Sequence, residues 1–156
     1  MAPFFISKNV IDPVQSDRIG EFGITRTDPE HRYQLTKTAS KFEGTSRSFG
    51  AVAQLQASLA YLEKVGVARI ENHTVALARH LNEGLVKQGH RLFTPPENRS
   101  SIVTFYCAKP TDDVRAMFRT ANVDVTVRGG QVRVSPALFN NMDEIERCLG
   151  VSKRLL

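Results

Sequence analysis

With 156 residues, 41% of them hydrophobic and 24% charged, the chain suits one domain with a sizeable core, and its composition is too ordinary for a disordered protein. No apolar run approaches the roughly 20 residues of a bilayer span, so a membrane partner is not expected. The net charge of +5 is scattered rather than gathered into a stripe or a named motif, so small anionic ligands suit this surface better than nucleic acid.

In chain order, residues 1–48 carry no long helical period. Pro3, Pro13, Gly20, Gly23 and Pro29 punctuate them, while Phe4, Phe5, Ile6, Val10 and Ile11 supply apolar anchors. The opening lacks the basic leader and long apolar centre of a signal peptide, which makes a cytoplasmic location the expectation. So long an irregular opening is unusual for a self-standing domain. It reads as a lead-in that packs over another body or continues from one.

From Gly50 the pattern changes. Val52, Leu55, Leu59, Leu62 and Val65 recur at three- and four-residue steps and predict a helix over 50–65, ended by Gly66. Ile70, Thr74, Leu77, Leu81 and Leu85 predict a second helix over 67–88, closed by Gly89. Strands are expected at 90–93 and 101–107, flanking the Pro95-Pro96 loop. A helix over 112–121 follows, with Thr111 as its N-cap and Asp112 and Asp113 at its positive end. Residues 123–127 and 131–135 read as strands joined through Arg128-Gly129-Gly130. Asn141 and Glu144 make a capping-box variant that opens a last helix. The order predicts an α+β layer: a small, mostly antiparallel sheet with helices.

Two landmarks carry possible chemistry. Arg133 lies between two valines in the last strand, just ahead of a polar loop. It suits either a clamp on a carboxylate or phosphate, or an edge-strand arginine paired with a nearby acid. Arg128, before the Gly-Gly turn, reads as solvated. The second landmark is Phe42-Glu43-Gly44-Thr45-Ser46. It offers backbone N–H groups and hydroxyls to a phosphate, or a cap to the following helix through Ser46 or Ser48.

The remaining candidates offer less. Cys107 and Cys148 have no Cys-x-x-Cys partners and read as buried structural thiols. His73 and His80 stand about 10 Å apart along one helix, too far for one metal ion, and His31 and His90 read as exposed. No catalytic metal is expected. Nucleophile-elbow, P-loop and dinucleotide motifs are absent from the sequence.

In order and spacing these landmarks resemble the C-terminal part of the class V aminotransferase family of pyridoxal-phosphate enzymes, which includes isopenicillin N epimerase-like proteins, selenocysteine lyases and cysteine desulfurases. The pieces are the Phe-Glu-Gly-Thr motif, the Leu-x-Ala-x-Leu-x-Tyr-Leu-x-x-Val-Gly helix, His73, Ile102-Val-Thr-Phe105 and Arg133-Val-Ser-Pro-Ala-Leu-Phe-Asn140. The resemblance implies the PLP-dependent transferase fold, with 1–48 as the lead-in from a large domain and 49–156 as the small C-terminal domain, its helices on one face of the sheet.

It further implies pyridoxal 5'-phosphate as cofactor of the complete enzyme, weakly bound or unbound by this chain alone, and an amino acid as small-molecule substrate. Thr45 would touch the cofactor phosphate of a neighbouring subunit, Arg133 would hold the substrate α-carboxylate, and Asn140 would be mainly structural. The partner would be a second copy or a large-domain chain. The family's cofactor-bearing lysine lies upstream of the region resembling residues 2–17, so no catalytic residue is expected here and Lys8 is not its equivalent. The turn before Arg133 carries no cysteine, against the persulfide-bearing loop of cysteine desulfurases. A non-catalytic interaction module, or a separate subunit pairing with a large-domain chain, is the alternative.

Overall fold

A computed structural model describes residues 3–30, 32–44, 46 and 48–156, and the chain divides into two compact units, Met1–Tyr61 and Leu62–Leu156. The first unit holds a two-stranded antiparallel hairpin, β1 (Ile24–Thr27) and β2 (Tyr33–Leu35), between short 3-10 turns at Glu21–Gly23 and Ala39–Phe42. Its strands are not announced by the sequence because they are short and irregular in register, with Thr25, Tyr33 and Gln34 exposed and no apolar alternation. Its buried contacts are few. Among the described residues of this unit Ile11 is the buried large hydrophobic, and the buried Lys41 donates from Nζ to the Ile11 carbonyl. The Phe4 ring meets Phe42 edge-on at 5.1 Å.

Helix α1 (Phe49–Val65) matches the predicted period, yet none of its residues is buried. Gly66, at φ +95°, breaks the chain between α1 and α2 (Val67–Gln88). Helix α2 turns Thr74, Leu77, Ala78, Leu81 and Leu85 into the core of the second unit. It ends as predicted: Gly89 is left-handed at φ +91°, and the His90 N–H closes on the Leu85 carbonyl at 3.0 Å.

The sheet of the second unit has the order β3-β5-β4, all antiparallel: β3 (Val103–Tyr106), β4 (Thr126–Arg128) and β5 (Gln131–Val134). Residues 90–93, expected as a strand, make only the Leu92–Phe105 bridge. Pairing stops there because Pro95 and Pro96 follow and cannot donate to a ladder. Residues 123–125 also stay outside β4, after Asn122 takes a left-handed turn at φ +55°.

Helix α3 (Thr111–Thr120) begins one residue early. The Val114 N–H bonds the Pro110 carbonyl at 3.1 Å, which makes Pro110 the cap and Thr111 the first helical residue. Helix α4 (Met142–Ser152) opens with the predicted capping box in both directions, 2.9 and 3.1 Å.

Strand alternation gives the sheet two unlike faces. Val103, Phe105, Val127, Val132 and Val134 turn inward to Leu81, Leu85, Val114, Phe118, Ile145 and Cys148, so α2 and the two later helices of this unit share one side. The other side carries Thr104, Tyr106, Thr126, Arg128, Gln131 and Arg133. His90, expected to be exposed, is buried: its Nε2 pairs with the Ser152 carbonyl at 3.0 Å and its ring packs on Phe105.

Candidate functional site

The placement of Arg133 follows from the hairpin that precedes it. Gly129 and Gly130 have φ of +57° and +72°, the signature of a two-residue type I′ turn whose twist matches the strands it joins. That turn fixes the pairs Arg128–Gln131, Val127–Val132 and Thr126–Arg133. With both valines buried, Arg133 must lie on the outer face. There it is exposed, on the central strand, flanked by Thr104 on β3 and Thr126 on β4.

This corrects the edge-strand alternative. The guanidinium makes one long hydrogen bond, from Nη2 to Thr126 Oγ1 at 3.4 Å, and among the described residues no carboxylate lies within salt-bridge distance. Asp124, Val125, Thr126, Arg133 and Ser135 line an open depression. A larger cavity beside it shares Asp124 and Ser135 and reaches Asn122, Phe139, Arg147 and Cys148. An open, unpaired guanidinium with hydroxyls alongside can grip a carboxylate through two parallel N–H···O bonds.

The loop after Arg133 is held by Asn140. Its Oδ1 accepts from the Ala137 N–H at 2.8 Å, its Nδ2 donates to Glu144 at 3.1 Å, and its own carbonyl pairs with His73 Nε2 at 2.8 Å. The Asn140 amide, then the Asn141 N–H and the nearby Arg147 hold the Glu144 carboxyl below its ordinary pKa. From the sequence His73 is a family landmark and, set about 10 Å along the helix from His80, no metal partner to it. Its bond to Asn140, 67 residues away, ties the start of α2 to the loop behind Arg133, a link that no spacing rule could show.

In the first unit, Thr45 lies outside the described residues. Next to it Gly44 is exposed, and a Cβ built there would meet nothing within 4 Å. Its side-chain face is therefore open, while its carbonyl lies against Gly20, where an added Cβ would run into the Gly44 oxygen. Ser46 is exposed too, while Ser48 takes the capping role, its Oγ accepting from the Ala51 N–H at 3.4 Å. A phosphate end fits an open glycine beside hydroxyls.

Lysines and thiols offer less. Lys41, just before the motif, is buried with its ammonium on the Ile11 carbonyl, and no lysine lines either cavity near Arg133. Both thiols are buried, as expected, and desolvation pushes Cys148 up to about 11. Among the described residues, no group of three or more His, Cys, Asp or Glu could hold a metal ion.

The model of the aminotransferase class-V family matches residues 4–148. The chain belongs to that family. A probable cysteine desulfurase of Pyrococcus abyssi (strain GE5 / Orsay) is 28% identical, over 97% of this chain and 42% of that protein. Among solved structures, the apo cysteine desulfurase of Thermococcus onnurineus NA1 superposes with a TM-score of 0.80 at 24% identity, covering 97% of this chain and 42% of that one. A variant of C-DES with glycine covalently linked to its PLP cofactor gives 0.80 at 13% identity, covering 97% and 41%. At such identities the structural likeness is one of fold, and it agrees with the α+β architecture expected from the sequence. The class V chain described here spans about two fifths of the length of these relatives. No described helix is long and apolar enough to cross a membrane.

Proposed function

We propose that this chain is the C-terminal, small-domain part of a pyridoxal-phosphate-dependent class V enzyme acting on an amino acid. Arg133 holds the substrate α-carboxylate, and Thr45, with the Gly44 backbone and Ser46 beside it, meets the cofactor phosphate. The observation that carries this reading is the unpaired Arg133 guanidinium on the central strand, its position fixed by the Gly129-Gly130 turn.

When bound, pyridoxal phosphate supplies an electron sink for reactions at the substrate α-carbon. The chain's own share is orientation. A bidentate arginine fixes both the direction and the distance of the carboxylate, and so sets which α-bond faces the cofactor plane. On this reading the cofactor-bearing lysine and any sulfur nucleophile come from elsewhere, in keeping with the burial of Cys107 and Cys148. Proton transfer and the choice of reaction are left to residues beyond this region. The proposed setting is a cytoplasmic homodimer.

A second reading, a non-catalytic subunit that pairs with a large-domain chain, is favoured by one observation. Helix α1 buries none of its residues, and Phe4, Phe5 and Phe49 are 63%, 91% and 86% exposed. Such a surface suits a partner.

The test of the first reading is a titration of the full chain with L-alanine and with its amide, following the Arg133 Nε–H resonance. The α-carboxylate should shift that resonance and the amide should not, with the response lost in Arg133→Gln. Equal shifts from both ligands would refute the carboxylate role. Gel filtration of the purified chain addresses the second reading: a stable monomer that stays soluble speaks against an obligate partner.

A further inference from the structure

Arg133 is not the sole uncompensated cation on its sheet face. The I′ turn that places Thr126 opposite Arg133 places Arg128 opposite Gln131 on the same side, since the intervening Val127–Val132 pair is buried. Arg128 and Arg133 are thus diagonal neighbours, roughly 7–8 Å apart at Cα and within reach of long side chains. Both are exposed, and among the described residues neither has a carboxylate within salt-bridge distance. The strand residues around them on this face are neutral, Thr104, Tyr106, Thr126 and Gln131; the acid nearby is Asp124, which lines the depression with Arg133 but lies outside salt-bridge distance of it. Arg91, the other cation here, is stacked on the Tyr106 ring at 4.4 Å. The turn itself stands clear, and a Cβ on Gly129 would meet nothing within 4 Å.

Two like charges held in diagonal register repel each other, and none of the described strand residues between and beside them carries a compensating charge. An anion bridging the pair would remove that repulsion and gain charge-assisted bonds at both ends.

We propose that Arg128 and Arg133 form a two-point anion site. It takes an amino acid whose side chain ends in a second anionic group (carboxylate, sulfonate or phosphate), with the α-carboxylate on Arg133 and the distal anion on Arg128. Arg128 is then the residue that determines substrate class. This rests on the reading of Arg133 as the carboxylate clamp.

The test uses the full chain and two simple probes, acetate and succinate, titrated at matched ionic strength while the arginine Nε–H resonances are followed. Succinate should bind about tenfold more tightly than acetate, the gain expected of a second charge-assisted bond, and should shift both Arg128 and Arg133. In Arg128→Gln, succinate should fall to the acetate level with acetate unchanged. Arg128→Lys, which keeps the charge without the fork, should retain part of the preference. Unaltered backbone spectra of the variants establish that they fold. A succinate preference that survives Arg128→Gln, or a succinate response confined to Arg91, overturns the two-point site and leaves the clamp intact. Failure of acetate to shift Arg133 in the unsubstituted chain instead overturns the clamp itself.

Discussion

Replacing Gly129 by alanine tests the device that aims Arg133. At φ +57° an L side chain pays about 1–2 kcal/mol of conformational strain. The stiffer unfolded chain returns roughly 0.4–1 kcal/mol, which leaves a net loss of about 1 kcal/mol. There is no steric surcharge, because the new methyl would meet nothing within 4 Å. Asparagine tolerates this conformation and makes the favoured Asn-Gly turn, so Gly129→Asn should be close to neutral. Gly129→Val should lose more than alanine, since a branched side chain fits the left-handed region worst. Urea unfolding, with the slope unchanged across the series, reads these differences directly. The ordering Asn, Ala, Val from mildest to harshest supports a turn-set register. Equal stabilities, or alanine milder than asparagine, would refute it, and with it the argument that Arg128 and Arg133 must share a face.

Three further outcomes follow from the core. Burial lowers the His90 pKa from 6.5, partly opposed by the Ser152 carbonyl. The unfolded chain then binds more protons, so stability is full above about pH 6.5 and falls as pH drops from there through the lower folded-state value; His90→Phe should flatten this slope in urea titrations run from pH 7.5 downward. Leu81, with no exposed surface at the centre of α2, should cost about 2–5 kcal/mol on truncation to alanine, measurable as a lowered urea midpoint. Cys148, with its thiol pushed up to about 11, should resist iodoacetamide at pH 8 in the folded chain and react readily once unfolded; prompt labelling of the native protein would contradict its placement.

Much of the second unit was legible because its signals are local. The α2 stripe, the left-handed Gly89, the Asn141–Glu144 box and the Gly-Gly turn each depend on residues within one or two turns of chain, and each is found where the pattern put it. Failures came where a distant partner decides the outcome. His90 was read as a surface residue, because its partner Ser152 is 62 residues away. Residues 90–93 have strand-like composition, but the prolines after them cut the ladder to a single bridge. In the first unit the β1–β2 hairpin has no apolar alternation to read. The Arg133 site was half legible: the sequence marked the residue, whereas its central strand and lack of an acidic partner depend on the β3-β5-β4 order, which no local pattern encodes.

The central claim, that this region completes a pyridoxal-phosphate enzyme, is tested most directly by reading the coding DNA immediately upstream of the Met1 codon. The account predicts an in-frame, glycine-rich large domain carrying the cofactor-bearing lysine. A stop codon preceded by unrelated sequence would contradict it and leave a separate subunit whose partner must be sought.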